Sequence, residues 1–74
     1  MVKYVDRIYS CPDIRSQADV ELIEESLGAG PSIDSVEVDL ALRKVYVRMA
    51  EFENESDILQ RLSESGFPAE QLTA

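Results

Sequence analysis

Residues 36–49 read Val36-Glu37-Val38-Asp39-Leu40-Ala41-Leu42-Arg43-Lys44-Val45-Tyr46-Val47-Arg48-Met49. Val36, Val38 and Leu40 alternate with Glu37 and Asp39, and Val45, Val47 and Met49 alternate with Tyr46 and Arg48. A period of two puts each apolar set on one face of an extended chain, so both runs are half-buried strands. The connection at Ala41 to Lys44 is too short for a crossover helix, and the strands must pair antiparallel as a hairpin.

The segments on either side have a different period. Ser16, Val20, Ile23 and Leu27 recur at spacings of four, three and four, with Ala18 and Leu22 on an adjacent row. This is the stripe of a helix, with Asp19, Glu21, Glu24 and Glu25 on its solvated face. Asp13, after Pro12, is the expected cap, and Gly28-Ala29-Gly30-Pro31 stops the helix after Leu27. Before it, Val2 to Tyr9 carries Val2, Tyr4, Val5, Ile8 and Tyr9, the β-branched and aromatic enrichment of a strand. Its apolar residues fall on both parities, interrupted by Asp6 and Arg7, so a bulge is expected there. After the hairpin, Asn54-Glu55-Ser56-Asp57 supplies a cap and first-turn acids, and Ile58, Leu59 and Leu62 supply a second apolar stripe. Gly66 and Pro68 end that helix, and Phe67 to Leu72 is expected to form a short edge strand, where Pro68 is tolerable. The order strand, helix, strand, strand, helix, strand predicts an α+β fold, a ferredoxin-like βαββαβ sandwich. It has a four-stranded antiparallel sheet with two helices on one face, formed by residues 1–74 as a single domain.

Seven basic residues stand against fifteen acidic ones, a formal charge of −8 with no histidine. Such a chain repels a phosphate backbone and anionic membrane surfaces, so neither nucleic acid nor membrane insertion is expected. The sign suits solubility, adaptation to high salt, or a protein partner with a basic surface. Without histidine there is no Ser-His-Asp or Cys-His engine, and no other acid–base constellation converges, so the chain is not expected to be an enzyme. The acids from Ala50 to Asp57 lack the turn glycine and ligand spacing of a calcium loop. A lone cysteine, Cys11, forms no internal disulfide, and with no long apolar run the expected location is the reducing cytosol.

The second half of the chain resembles the heavy-metal-associated domain family of copper chaperones and P-type ATPase modules. The resemblance is carried by Ser35-Val36-Glu37-Val38-Asp39-Leu40, Arg43-Lys44-Val45-Tyr46-Val47, the helix around Ile58, Leu59 and Leu62, and Ser65-Gly66-Phe67-Pro68-Ala69-Glu70. It implies the same fold, and a soft-metal site in the loop between the first strand and first helix, where the family places Met-x-Cys-x-x-Cys. That loop here is Tyr9-Ser10-Cys11-Pro12-Asp13-Ile14. With Cys11 as the first ligand, Ile14 occupies the second position. With the helix stripes matched instead, Asp13 and Ser16 occupy the two cysteine positions and Cys11 the methionine position, whose side chain usually turns toward the core. Either register lacks the second thiol, and thiolates are what select soft ions.

Two readings follow. In one, the domain has a degenerate metal loop and docks a basic protein partner through Asp13, Asp19, Glu21, Glu24 and Glu25. In the other, Cys11, with Asp13 as a minor candidate ligand, binds or delivers Cu(I) or another soft metal ion. That ion could be shared between two chains, which makes the chain a monomer or a weak homodimer. A half-buried packing role for Cys11 stands beside the second reading. A nearby helix N-terminus, which would lower the thiol pKa, favours a reactive thiol instead.

Overall fold

The computed structural model describes residues 2–72; Met1, Thr73 and Ala74, which the single-domain reading includes, lie outside the described residues. The elements run β1 (Tyr4–Ser10), α1 (Gln17–Gly28), β2 (Ile33–Asp39), β3 (Lys44–Ala50), α2 (Glu55–Glu64) and β4 (Glu70–Leu72). The strands form one antiparallel sheet in the order β2-β3-β1-β4, and the helices pack on one of its faces. This is the expected ferredoxin-like βαββαβ sandwich.

The hairpin pairs from Ser35↔Arg48 through Val36↔Val47 to Asp39↔Lys44. Leu40, expected on the inward face of β2, lies instead in the turn and is exposed. Asp39 ends the strand one residue earlier, because its Oδ1 accepts the Leu42 N–H at 3.0 Å and so closes the turn. The bulge expected in β1 is also absent. β1 pairs with β3 without interruption from Tyr4↔Ala50 to Ser10↔Lys44, and the register shift falls on β2, between Ile33 and Ser35. Val5, Arg7 and Tyr9 form the inward row of β1, and the Arg7 guanidinium reaches the Glu55 carboxylate at the start of α2. A polar residue in the inward row is thus paired at the rim of the sandwich without breaking the ladder.

The first helix starts later than expected. Its N-cap is Ser16 rather than Asp13: the Ser16 Oγ accepts the Asp19 N–H, and the Asp19 carboxylate accepts the Arg15 N–H at 2.9 Å. That reciprocal pair gives the Arg15 N–H its acceptor and the Asp19 N–H a second one beside the Ser16 carbonyl, an arrangement Asp13 cannot offer from the loop. Leu22, on the adjacent row of the stripe, is 52% exposed, while Val20, Ile23 and Leu27 are buried. In α2, Asn54 caps the Ser56 N–H at 2.9 Å, with Glu55 and Asp57 in the first turn and Arg61 in the last. The helix closes through Phe67 N–H to the Leu62 carbonyl and Gly66 N–H to the Ser63 carbonyl, with Gly66 at φ 92°. These two bonds define a Schellman motif, which needs a left-handed residue at the Gly66 position. The last strand is shorter than the expected Phe67–Leu72: β4 is Glu70–Leu72, and Phe67 turns into the core.

The core joins Tyr9, Cys11 and Ile14 to Val20, Ile23 and Leu27 of α1, Val45, Val47 and Met49 of β3, Ile58 and Leu62 of α2, and Phe67. Fully burying each large aliphatic side chain contributes about 1.5–3 kcal/mol, so this single cluster holds both helices to the sheet. No helix among the described residues is long and apolar enough to cross a membrane.

Candidate functional site

The loop from Cys11 to Ser16 joins β1 to α1 at one end of the sandwich. Pro12 removes a donor and fixes its own φ, so the strand cannot continue. The Cys11 N–H donates to the Arg43 carbonyl at 2.8 Å, and the Ile14 N–H donates to the Cys11 carbonyl at 3.3 Å. These bonds turn the loop inward at both ends of the Pro12-Asp13 step. Cys11 and Ile14 are each 0% exposed, whereas Pro12, Asp13, Arg15 and Ser16 face solvent.

Cys11 is therefore fully buried rather than half-buried. Its Sγ lies 3.5 Å from the Phe67 carbonyl and 3.8 Å from the Pro68 carbonyl, both of which accept from the thiol. Three connections meet at this residue: its own loop, the β2–β3 turn through Arg43, and the α2–β4 segment through Phe67 and Pro68. The expectation of a reactive thiol with a lowered pKa is corrected. Burial pushes the Cys11 thiol up, the Asp13 carboxylate adds to this, a hydrogen bond from the Asp13 backbone offsets part of it, and Asp19 pushes up again. Desolvation and the two nearby carboxylates act in the same direction on a thiol that is part of the core.

Asp13 lies at the loop tip and Ser16 is occupied as the helix cap. Among the described residues, no group of three or more His, Cys, Asp or Glu side chains is placed to hold a metal ion. The residues present do not fit a two-thiolate clamp. Ile14 has no donor atom, and Asp13 and Ser16 would offer hard oxygens, which suit other ions.

Of the acidic residues on α1, Glu21, Glu24 and Glu25 are exposed. Asp19 is half-buried, with its carboxylate taken up by the helix cap. α1 contains no basic residue, so this face keeps one sign along its length. Beside the loop, the β2–β3 turn exposes Leu40 and Leu42, the latter at 59%. Arg43 in that turn takes a left-handed φ of 54°, and its carbonyl receives Cys11. The sequence carries no signal for either Arg43 or Phe67 as a partner of Cys11, since both contacts join residues more than 30 positions apart. Tyr9 adds a further unforeseen feature. It is fully buried, and its hydroxyl has no hydrogen-bond partner among the described residues.

No family profile matches the sequence, and no curated protein matches it. Solved structures match it closely in shape. MerP from Ralstonia metallidurans, in its oxidised form, superposes with a TM-score of 0.89 at 12% identity, covering 96% of this chain and 100% of its own. The yeast copper transporter domain CCC2A, solved in apo and Cu(I)-loaded states, gives 0.85 at 18% identity, covering 92% and 94%. The first domain of the human copper chaperone CCS, solved with Cu(I), gives 0.82 at 19% identity, covering 93% of each chain. Near-complete mutual coverage at such low identity is a likeness of backbone, and this chain has the ferredoxin-like fold of heavy-metal-associated domains.

Proposed function

We propose that the chain is a non-enzymatic docking module of the cytosol, which presents Asp13 and the Glu21, Glu24 and Glu25 face of α1 to a basic surface on another protein. The supporting observation is a separation of chemistry. The thiol is inside the core, while the adjoining loop exposes Asp13 beside Arg15, and α1 exposes Glu21, Glu24 and Glu25 with no base on the helix. A surface of one sign steers an oppositely charged partner and raises its association rate. Asp19 shapes the helix start that carries this surface.

Titration of labelled protein with a lysine-rich peptide, followed by amide shifts, tests the reading. Shifts should concentrate at Asp13 and at residues 21–25, and the affinity should fall steeply with added salt. Shifts spread evenly over Asp34, Glu37, Glu51 and Glu53 as well, or binding indifferent to salt, would refute it.

The fold favours a second reading, in which Cu(I) or a similar soft ion is cargo held by Cys11. Anaerobic Cu(I) titration of the reduced protein, wild type beside Cys11→Ser, separates the two. Thiol-dependent uptake that survives a competing chelator would establish the metal reading, with half an ion per chain if two chains share it. No thiol-dependent uptake would remove it.

A further inference from the structure

The sheet has two free edges, and they differ. β4 is three residues long and follows Pro68, so its edge is short and blunted. β2 is seven residues long, contains neither proline nor lysine, and carries its bulge at its start, between Ile33 and Ser35. From Ser35 to Asp39 its pairing is regular. Bonds at the ends of the ladders fix which backbone groups this edge exposes. β3 bonds toward β1 at odd positions: the Arg43 carbonyl accepts the Cys11 N–H, and the Glu51 N–H donates to the Lys3 carbonyl, both at 2.8 Å. Toward β2 it bonds at even positions, as where the Ala50 N–H reaches the Ser32 carbonyl. Alternation therefore spends the backbone groups of Glu37 and Asp39 on their partners Tyr46 and Lys44. It leaves Val36 and Val38 with N–H and C=O groups aimed away from the sheet. Among the described residues, no turn or loop backbone takes them up.

Acids flank this edge on both sides. Strand alternation places Glu37 on the outer face, while Val36 and Val38 pack against the core. On the helical side, α1 packs against β2, and Ser26 bonds Ser65 at 2.9 Å on the side of α1 that meets α2. At about 100° per residue, Gln17, Glu21 and Glu24 lie on the opposite side, over the β2 edge. Neither β2 nor α1 contains a base. Asp34 is paired with Arg48, and Asp39 stands across from Lys44. Glu21, Glu24 and Glu37 have no ion-pair partner among the described residues. An open backbone edge is completed by an extended chain, which supplies the missing donors and acceptors in register. A second copy of β2 does not fit, because antiparallel pairing around Glu37 sets Glu37 opposite Glu37. A strand with basic side chains meets Glu37 on one of its faces and Glu21 and Glu24 on the other.

We propose that the β2 edge docks an extended lysine- or arginine-rich segment of another protein, which adds to the sheet as a fifth strand. The proposal rests on the docking reading for the sign of the partner and gives that partner its form. The probe is a short peptide of alternating threonine and lysine, beside the same peptide N-methylated at its central residues, which keeps the charge and removes the backbone donors. The unmodified peptide should slow hydrogen exchange at the Val36 and Val38 amides and shift Glu24 and Glu37, with Glu51 and Glu53 unmoved. Methylation should weaken binding at least about tenfold, the loss of one or two hydrogen bonds. Glu37→Lys, checked for folding by circular dichroism, should weaken it at least about threefold. Glu51→Lys, the same change beyond the end of β3, should weaken it less than about twofold. Equal affinity for both peptides, with shifts confined to Asp13 and residues 21–25, overturns strand addition and leaves the docking reading standing. No binding of either peptide refutes both. Protection of Val36 and Val38 that rises with protein concentration and without peptide assigns the edge to a second copy and also overturns the proposal.

Discussion

Replacing Tyr9 with phenylalanine removes one oxygen from the core and should stabilise the protein. The Tyr9 ring is fully enclosed between the sheet and the helices, and its hydroxyl has no partner among the described residues. An unsatisfied buried hydroxyl costs about 1–3 kcal/mol, and removing it leaves a gap smaller than a methyl group. Tyr9→Phe should therefore gain about 1 kcal/mol at neutral pH. With a denaturant slope near 1 kcal/mol per molar urea, the midpoint should move up by about 1 M at unchanged slope.

The same ring predicts a pH signature. Burial first, then the Glu55 charge, push the Tyr9 phenol up to about 12, with Arg7 opposing. As the pH rises, the unfolded chain loses this proton near its ordinary value of about 10 while the folded chain keeps it. The contribution is thus fully present below pH 10 and is lost as the pH climbs through 12, at about 1.4 kcal/mol per pH unit. Cys11, also raised, begins a similar loss from its lower starting value, and that part remains in the variant. Urea midpoints of both proteins from pH 7 to pH 11 should run parallel up to about pH 10 and then diverge, with the variant falling less. A variant less stable than wild type by about 1 kcal/mol at pH 7 would mean that the hydroxyl is satisfied, by a bound water or by a shifted Glu55, and would refute the reasoning.

Alkylation of Cys11 by iodoacetamide should be slow in native buffer and rise by orders of magnitude as urea unfolds the chain, since both burial and the raised thiol pKa suppress attack; a native rate equal to that of a free thiol would contradict the burial. Ser16→Ala should cost about 1 kcal/mol by urea melting, because it removes the side-chain half of the reciprocal cap and leaves the Asp19 N–H only the Ser16 carbonyl, whereas Asp13→Ala should change stability by less than about half of that. Gly66→Ala meets no atom within 4 Å of the added carbon, so its expected loss of about 1 kcal/mol comes from the left-handed backbone alone. Arg43→Gly, at another left-handed position, should gain up to about 1 kcal/mol in the same assay.

Local periodicity was the legible part of this molecule. The hairpin pairing, the buried rows Val20, Ile23, Leu27 and Ile58, Leu62, and the Asn54 and Gly66 ends depend on residues within a few positions of each other, and they appear where the sequence places them, with Leu40 and Leu22 the exceptions. The misreadings involve choices that distant residues settle. Asp13 and Ser16 are both capping types, and the choice fell to Ser16, whose partner Asp19 stands three residues on. That spacing was present in the sequence as Ser16-Gln17-Ala18-Asp19, but the turn at Cys11 and Ile14, fixed by Arg43 and the core, decides that the chain is not yet helical at Asp13. Arg7 looked like a break in an apolar row because Glu55, 48 residues away, cannot be paired with it from sequence. For the site, the missing second thiol was legible, as was the acidic face of α1. The depth of Cys11 was not, because it depends on carbonyls contributed by Phe67 and Pro68.

Cys11 fastens three connections as a rivet fastens three plates. An ion that seeks its sulfur must first draw it out from under Phe67 and Pro68, and its observed affinity is then its intrinsic affinity multiplied by the fraction of molecules already open. Every 1.4 kcal/mol of opening weakens that affinity tenfold. An ion that met this cost would hold the molecule open, with the β1–α1 loop, the β2–β3 turn and the approach to β4 released together. Hydrogen exchange at the Cys11 and Phe67 amides would therefore report capture of an ion more directly than any change at the sulfur, because the fold itself would be the gate.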